Sequence, residues 1–233
     1  EENFAAHNKL YPDSPKMCME MWNGWFDAWG DGFHHTTSAE DYASVVDDML
    51  KIGSLNMYMF IGGTNFGFTS GANHTDKFLP DVTSYDYDAL LTECGDITPK
   101  YLAVRKVIQK YVGEALPDIP ENREKKAYGK FSLDETAGLF DNIGRIASAH
   151  FSEIPKCMEE YGIGYGYIAY QTVLNRDYID AVLSFEELGD RAQVYINNTL
   201  AGIVYINDSL EITVNARKGD VLTVLCENMG RAN

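Results

Sequence analysis

Glu20 stands in the segment Met17 to Gly30, MCMEMWNGWFDAWG, among Trp22, Trp25, Phe26 and Trp29. All three tryptophans of the chain fall between positions 22 and 29, beside this one glutamate. Core packing alone does not account for such a cluster, whereas a flat and partly apolar ligand does. The C–H faces of a sugar ring lie on aromatic rings while its hydroxyls need polar or charged acceptors close by. Further along the chain, Tyr58 and the tetrad Tyr85-Asp86-Tyr87-Asp88 offer more hydroxyls and carboxylates. A carboxylate that attacks a sugar carbon must be ionised and held still, and a tyrosine hydroxyl donating to it does both while aromatic walls place the ring. Taken singly, each residue also has a plainer use. A glutamate at a strand end commonly pairs with an arginine, and loop tyrosines commonly pack.

The elements that would position these groups follow from periodicity. Lys16 to Glu20 reads as a short buried strand. Ser38 opens a helix with Glu40 and Asp41 in its first turn; Tyr42, Val45, Val46, Met49, Leu50 and Ile52 keep its period, and Gly53 stops it. Leu55 to Ile61, LNMYMFI, is an apolar run of strand length, as expected of a strand buried on both faces of a parallel sheet. A long loop from Gly62 to about Leu91 follows, with Gly62, Gly63 and Gly67 allowing tight turns. Pro99 then starts a second helix, Lys100 to Tyr111, with a stripe of Leu102, Val104, Val107, Ile108 and Tyr111. This is βαβα order, the pattern of a barrel or a doubly wound sheet, and Glu20 sits at a strand end, where barrel enzymes carry their chemistry.

Residues 113–126, with Pro117, Pro120 and a charged run, read as a linker. Beyond it, alternating strands are expected at Ala127–Leu133, Tyr165–Leu174, Tyr178–Leu183, Ala192–Ile196, Leu200–Ile206, Leu210–Val214 and Val221–Cys226. Turn residues such as Asn197-Asn198 separate them, as in an all-β sandwich. The expected fold is therefore α/β plus all-β: residues 1–112 as the last part of a (β/α)8 barrel, a linker at 113–126, and residues 127–233 as a jelly-roll-like β-sandwich.

Composition narrows the partners. The 233 residues are 45% hydrophobic with a net charge of −16, and that surface repels phosphate backbones and anionic headgroups, so neither nucleic acid nor membrane is expected. Cys18, Cys94, Cys157 and Cys226 lack paired metal spacing and are expected to be buried free thiols, which points to the cytoplasm. The glycosylation sequons at Asn73, Asn197 and Asn207 leave secretion open. His7, His34, His35, His74 and His150 show no regular ligand spacing, so no metal and no cofactor is expected. The glycines after residue 61 have no lysine and helix start in register for a phosphate cradle.

Four blocks then become recognisable: MCMEMWNGWFDAWG, NMYMFIGGTNFGF, Gly71-Ala72-Asn73 and TSYDYDALLTECGD. Their order and spacing resemble the β-galactosidases of glycoside hydrolase family 35. Tyr161–Leu174, Asp190–Asn198 and Cys226–Asn233 resemble that family as well. The resemblance implies that Glu20 is the nucleophile of a retaining mechanism with a covalent galactosyl-enzyme intermediate, that Tyr58 donates a hydrogen bond to it, that Tyr87 contacts the sugar and that Trp25 walls the galactose pocket. Tyr85, Asp86 and Asp88 would shape the loop. The substrate would be a β-galactoside or a galactose-terminated oligosaccharide.

The family's acid/base is the glutamate of an Asn-Glu pair, and no such pair occurs in this sequence. Two barrel strands are expected where a barrel has eight in about 250 residues. The chain is therefore expected to be an internal piece of a longer enzyme, inactive alone, with its apolar strand Leu55 to Ile61 paired to another copy, covered by the β module, or rearranged. A carbohydrate-binding module that holds a glycan without cleaving it is the alternative. A glycosidase of other sugar preference is a third reading.

Overall fold

The computed structural model describes residues 4–232. Residues 1–3 and Asn233, the end of the last block, lie outside the described residues. The chain divides into two compact units, each assembled from two segments: residues 1–67 with 81–125, and residues 68–80 with 126–233.

In the first unit, a short helix α1 (Ala5–Leu10) precedes strand β1 (Met17–Trp22), helix α2 (Ala39–Leu50) and strand β2 (Ser54–Tyr58). β1 and β2 run parallel as a two-stranded sheet. The Ser38 hydroxyl caps α2 by accepting the Asp41 N–H at 3.2 Å, as its position ahead of two acids predicts. Tyr42, Ala43, Val46 and Met49 form the buried face of α2. Val45, expected on that stripe, is exposed, because the helical rotation carries it off the face that Tyr42, Val46 and Met49 share.

Loop residues 62–91, expected to be irregular, carry strands β3 (Gly71–His74) and β4 (Phe78–Pro80), both of which belong to the second unit. Helix α3 (Pro99–Ile108) then returns to the first unit, with Thr98 accepting the Tyr101 N–H at 3.1 Å and Pro99 in the first turn. Val104 and Val107 are buried in one core with Met21, Val46, Met49 and Leu90. Leu102 and Tyr111, expected on the stripe, are exposed; the Tyr111 hydroxyl instead bonds to Asp47 of α2, 3.0 Å from Oδ1. Strand β2 also ends at Tyr58, and Phe60 and Ile61 are exposed, so the run Leu55 to Ile61 is not buried on both faces.

The second unit adds helix α4 (Leu139–Ile146), a 3-10 turn at Met158–Tyr161, and strands β5 (Gly166–Val173), β6 (Tyr178–Ser184), β7 (Arg191–Ile196), β8 (Thr199–Tyr205), β9 (Glu211–Ala216), β10 (Val221–Asn228) and β11 (Arg231–Ala232). They form a four-stranded antiparallel sheet in the order β5-β10-β7-β8, an antiparallel pair β6-β9, and a three-stranded sheet β11-β3-β4. Leu188, Ala192, Val204 and Cys226 are the buried centre. Asn197 and Asn198 both take positive φ, 49° and 63°, which is the two-residue hairpin geometry that joins β7 to β8 with the right twist.

The strand expected at Ala127–Leu133 is absent. Tyr128, Phe131 and Leu133 are exposed there, so alternation without a neighbouring strand to pair with did not become structure. The four cysteines are free, yet only Cys226 is buried; Cys94 and Cys157 are exposed and Cys18 is half-buried. Burial pushes the Cys226 thiol up to about 11. Among the described residues no helix is long and apolar enough to cross a membrane.

Candidate active site

Glu20 lies at an irregularity in the parallel pair. Cys18 faces Leu55 and Met21 faces Met57, so β1 spends one more residue than β2 over the same interval. Bulges of this kind bend a strand and re-aim its side chains, and they recur beside active sites. The Glu20 side chain is exposed, and among the described residues its hydrogen-bond donor is the Trp22 indole, Nε1 to Oε2 at 3.1 Å.

Three residues on, Asn23 is 1% exposed. Its N–H donates to the Tyr58 carbonyl at 3.2 Å, its Oδ1 accepts the Met59 N–H at 3.1 Å, and its Nδ2 donates to the Met59 carbonyl. The carboxamide thus replaces a strand partner for the residue after Tyr58, and the two chain segments are locked where β2 ends. Two glycines let the Tyr85–Asp88 loop approach them. A Cβ on Gly24 would stand 2.1 Å from the Tyr87 carbonyl oxygen, and one on Gly62 would stand 1.6 Å from that of Tyr85. Neither position tolerates a side chain without moving the loop.

The aromatic groups gather on this frame. Phe26, Tyr87 and Ala89 are buried, with Trp25, Tyr58, Met59 and Tyr85 packed against them. Tyr58 and Tyr87 meet edge to face with centroids 5.4 Å apart, Trp25 lies 6.2 Å from Tyr87, and Trp22 contacts the edge of Trp25 at 5.3 Å. These are favourable separations for aromatic pairs. Tyr87 and Asp88 both adopt left-handed backbone, φ 63° and 50°, at a cost of about 1–3 kcal/mol each that the surrounding bonds must offset. Burial, then Tyr58, then the charge of Glu20 push the Tyr87 phenol up to about 12, so it remains a neutral donor. Burial and a hydrogen bond with Tyr58 likewise raise Tyr85.

Most acids around this cluster are committed to holding loops. Asp86 accepts the N–H groups of Asp88 at 3.1 Å and Glu93 at 3.2 Å. Glu93 accepts the Ser84 hydroxyl at 2.5 Å and that of Thr64, and these two bonds, in that order, lower its pKa against the opposing effect of burial. Asp27 takes His34 Nδ1 at 2.7 Å, His35 Nδ1 at 3.0 Å and the His35 N–H at 2.9 Å, while His34 Nε2 lies 3.5 Å from Asp86. Burial raises the Asp27 carboxyl, but the bonds from His35 and His34 outweigh it and leave the pKa lowered. The bond to Asp27 in turn raises His34. Asp88 is held by Lys100, which donates to its carbonyl at 2.7 Å and pairs with its carboxylate, and by the Thr37 N–H at 2.6 Å. Asp81 differs: its Oδ1 is buried without a hydrogen-bond partner among the described residues, and burial raises its carboxyl to about 6. Among the described residues no group of three or more His, Cys, Asp or Glu is arranged to hold a metal ion.

The structure therefore gathers Trp25, Tyr58 and Tyr87 into one cluster, and Glu20 is near enough for its charge to act on the Tyr87 phenol. The expected bond from Tyr58 to Glu20 is not made among the described residues; the Tyr58 phenol lies instead close enough to Tyr85 to raise it. Asn23, Thr37 and Lys100 were not anticipated. The sequence did contain a sign of the last. Lys100 is spaced four and seven residues before Val104 and Val107, on the apolar face of α3, where a charge needs a built partner.

Comparison with known proteins gives two matches along the chain. Residues 1–111 match the family Glycosyl hydrolases family 35, and residues 155–233 match Beta-galactosidase, first all-beta domain. Among curated proteins, the chain is 36% identical over 249 residues to Beta-galactosidase 1 of Dictyostelium discoideum, covering 94% of this chain and 37% of the relative. It is 36% identical to the Beta-galactosidase of Bos taurus over 236 residues, 99% of this chain and 36% of the relative. With the Beta-galactosidase of Homo sapiens it shares 38% identity over 238 residues, 99% of this chain and 34% of the relative. The chain thus spans about a third of the length of the curated relatives it matches.

Proposed function

The chain belongs to glycoside hydrolase family 35, and from that premise we propose that it supplies the nucleophile half of a retaining β-galactosidase site. Glu20 attacks the anomeric carbon of a terminal β-galactoside, and the bond from that carbon to the aglycone oxygen breaks. The oxygen leaves with a proton from a second carboxyl, which then acts as base while water releases galactose. Trp25 walls the sugar, Tyr87 contacts it, and Tyr58 lines the same pocket. Since no Asn-Glu pair occurs in the sequence, the acid/base comes from outside this chain.

One observation carries this reading. Asp27, Asp86, Asp88 and Glu93 hold loops, whereas Glu20 is exposed at a strand bulge with, among the described residues, a single neutral donor, next to a wall of aromatic rings. The same premise makes β1 and β2 two strands of the family's barrel and residues 127–233 its jelly-roll-like sandwich. The edges of the two-stranded sheet then offer a route to self-association.

The test is covalent labelling with a 2-deoxy-2-fluoro-β-galactoside bearing a dinitrophenolate, a leaving group that needs no proton. A stable adduct on the peptide containing Glu20, absent in Glu20→Gln, is expected, with no turnover of an ordinary chromogenic β-galactoside by this chain. Labelling of another residue, or equal labelling of Glu20→Gln, would overturn the assignment.

A further inference from the structure

Lys100 is 3% exposed, and its Nζ is enclosed by four oxygens from three separate segments. It donates to the Asn23 carbonyl at 2.6 Å, the Thr37 hydroxyl at 2.8 Å and the Asp88 carbonyl at 2.7 Å, and it pairs with the Asp88 carboxylate. The Tyr42 ring covers it at 5.8 Å, and the Tyr42 hydroxyl donates to the Met21 carbonyl at 3.3 Å. An ammonium has three protons and no acceptor, so this cage spends its whole donor capacity. A point charge in a compact cage of carbonyl and carboxylate oxygens suits lysine, whereas the planar fork of arginine does not match it.

We infer that Lys100 is the positioning residue of this site: through Asn23 and Asp88 it sets Tyr58 and Tyr87 in their places beside Trp25. Two chains of contact lead from it. Its Asn23 bond fixes the residue whose side chain clasps Met59, immediately after Tyr58. Its two Asp88 bonds hold the left-handed turn that Asp88 shares with Tyr87. Thr37 closes the ring, donating its hydroxyl to the Asn23 carbonyl at 2.8 Å and its N–H to the Asp88 carboxylate. The placement stands on this geometry; that it serves galactoside binding rests on the function proposed above.

Hydrogen exchange on the full chain, comparing wild type, Lys100→Met, Lys100→Arg and Asp88→Asn, tests it together with a galactose titration read by tryptophan fluorescence. All three tryptophans lie in this segment, so the emission reports on the site alone. In Lys100→Met, the amides of Thr37, Met59 and Ala89 are expected to exchange about tenfold faster and galactose affinity to fall about tenfold, while α2 and β10 keep their protection. Asp88→Asn reproduces the local pattern, and Lys100→Arg does not restore it. Unchanged exchange at those amides would overturn the inference. So would uniform loss of protection through α2, which would make Lys100 a residue of general stability. If wild type gives no response to galactose, the sugar reading fails, and the exchange comparison still decides the role of Lys100.

Discussion

Removing the Asn23 carboxamide is the most informative perturbation of the frame. The side chain is buried and makes two bonds to one residue, accepting the Met59 N–H at 3.1 Å and donating to the Met59 carbonyl. Alanine leaves both backbone groups without their partner, at about 1–2 kcal/mol each, so Asn23→Ala is expected to lose about 2–4 kcal/mol. In a unit of this size that lowers the melting temperature by on the order of 10 °C. Asn23→Asp separates the two bonds. Its carboxylate still accepts the Met59 N–H but faces the Met59 carbonyl with no proton to give, so the folded state favours the protonated acid and raises its pKa above the unfolded value of about 3.9. A raised acid costs stability as pH climbs from the unfolded value to the folded one, and the full cost is present above the folded pKa. Thermal melts followed by near-ultraviolet circular dichroism, each variant against wild type at the same pH, should show Asn23→Asp close to wild type at acid pH and close to Asn23→Ala in mild alkali. Two results refute the reasoning: Asn23→Ala melting with wild type, or an Asn23→Asp deficit that does not shrink on acidification.

Two other expectations follow from single contacts. Gly62→Ala drives a methyl group into the Tyr85 carbonyl, which would lie 1.6 Å away, and should cost about 1–3 kcal/mol and disturb the aromatic circular dichroism of the Tyr85–Tyr87 cluster; an unchanged spectrum and midpoint in urea would show that the loop does not pack as described. Asp81→Asn should raise the melting temperature at pH 7.5 and leave it unchanged near pH 4. Burial lifts this carboxyl to about 6, so its destabilising effect builds as pH rises from the unfolded value toward 6 and is complete above it; a gain that is equal at both pH values would remove Asp81 as the cause.

What was legible in the sequence was local. Ser38 opens its helix and Pro99 stands in the first turn of the next, as their positions predict, and Asn197-Asn198 makes the hairpin its composition demands, because each depends on a few neighbouring residues. Ala127–Leu133 had the alternation of a strand but no strand to pair with, and pairing is decided by distant residues. The same limit applied to β3 and β4: their three- and four-residue runs carry no periodicity to read, and they form through one another and through β11, about 160 positions away in the chain.

The site shows the limit most clearly. Glu20, Asp27, Asp86, Asp88 and Glu93 are five acids in aromatic or glycine-rich contexts, and nothing in residue type ranks them. Their ranking comes from what each already holds. Asp88 is occupied by a lysine 12 residues on, Glu93 by a hydroxyl 29 residues back, and Asp27 by two histidines across a turn. A carboxylate engaged by cations and backbone N–H groups is a poor nucleophile, because its lone pairs are spent and its charge is neutralised. Glu20 escapes this: it stands exposed where β1 carries its extra residue, and among the described residues its hydrogen-bond donor is the neutral Trp22 indole. Reactivity at this site is thus a property of the frame: the more completely Lys100, Asn23 and Asp86 absorb the polar groups around the tyrosines, the more distinctly the exposed carboxylate of Glu20 stands apart from the acids that hold loops.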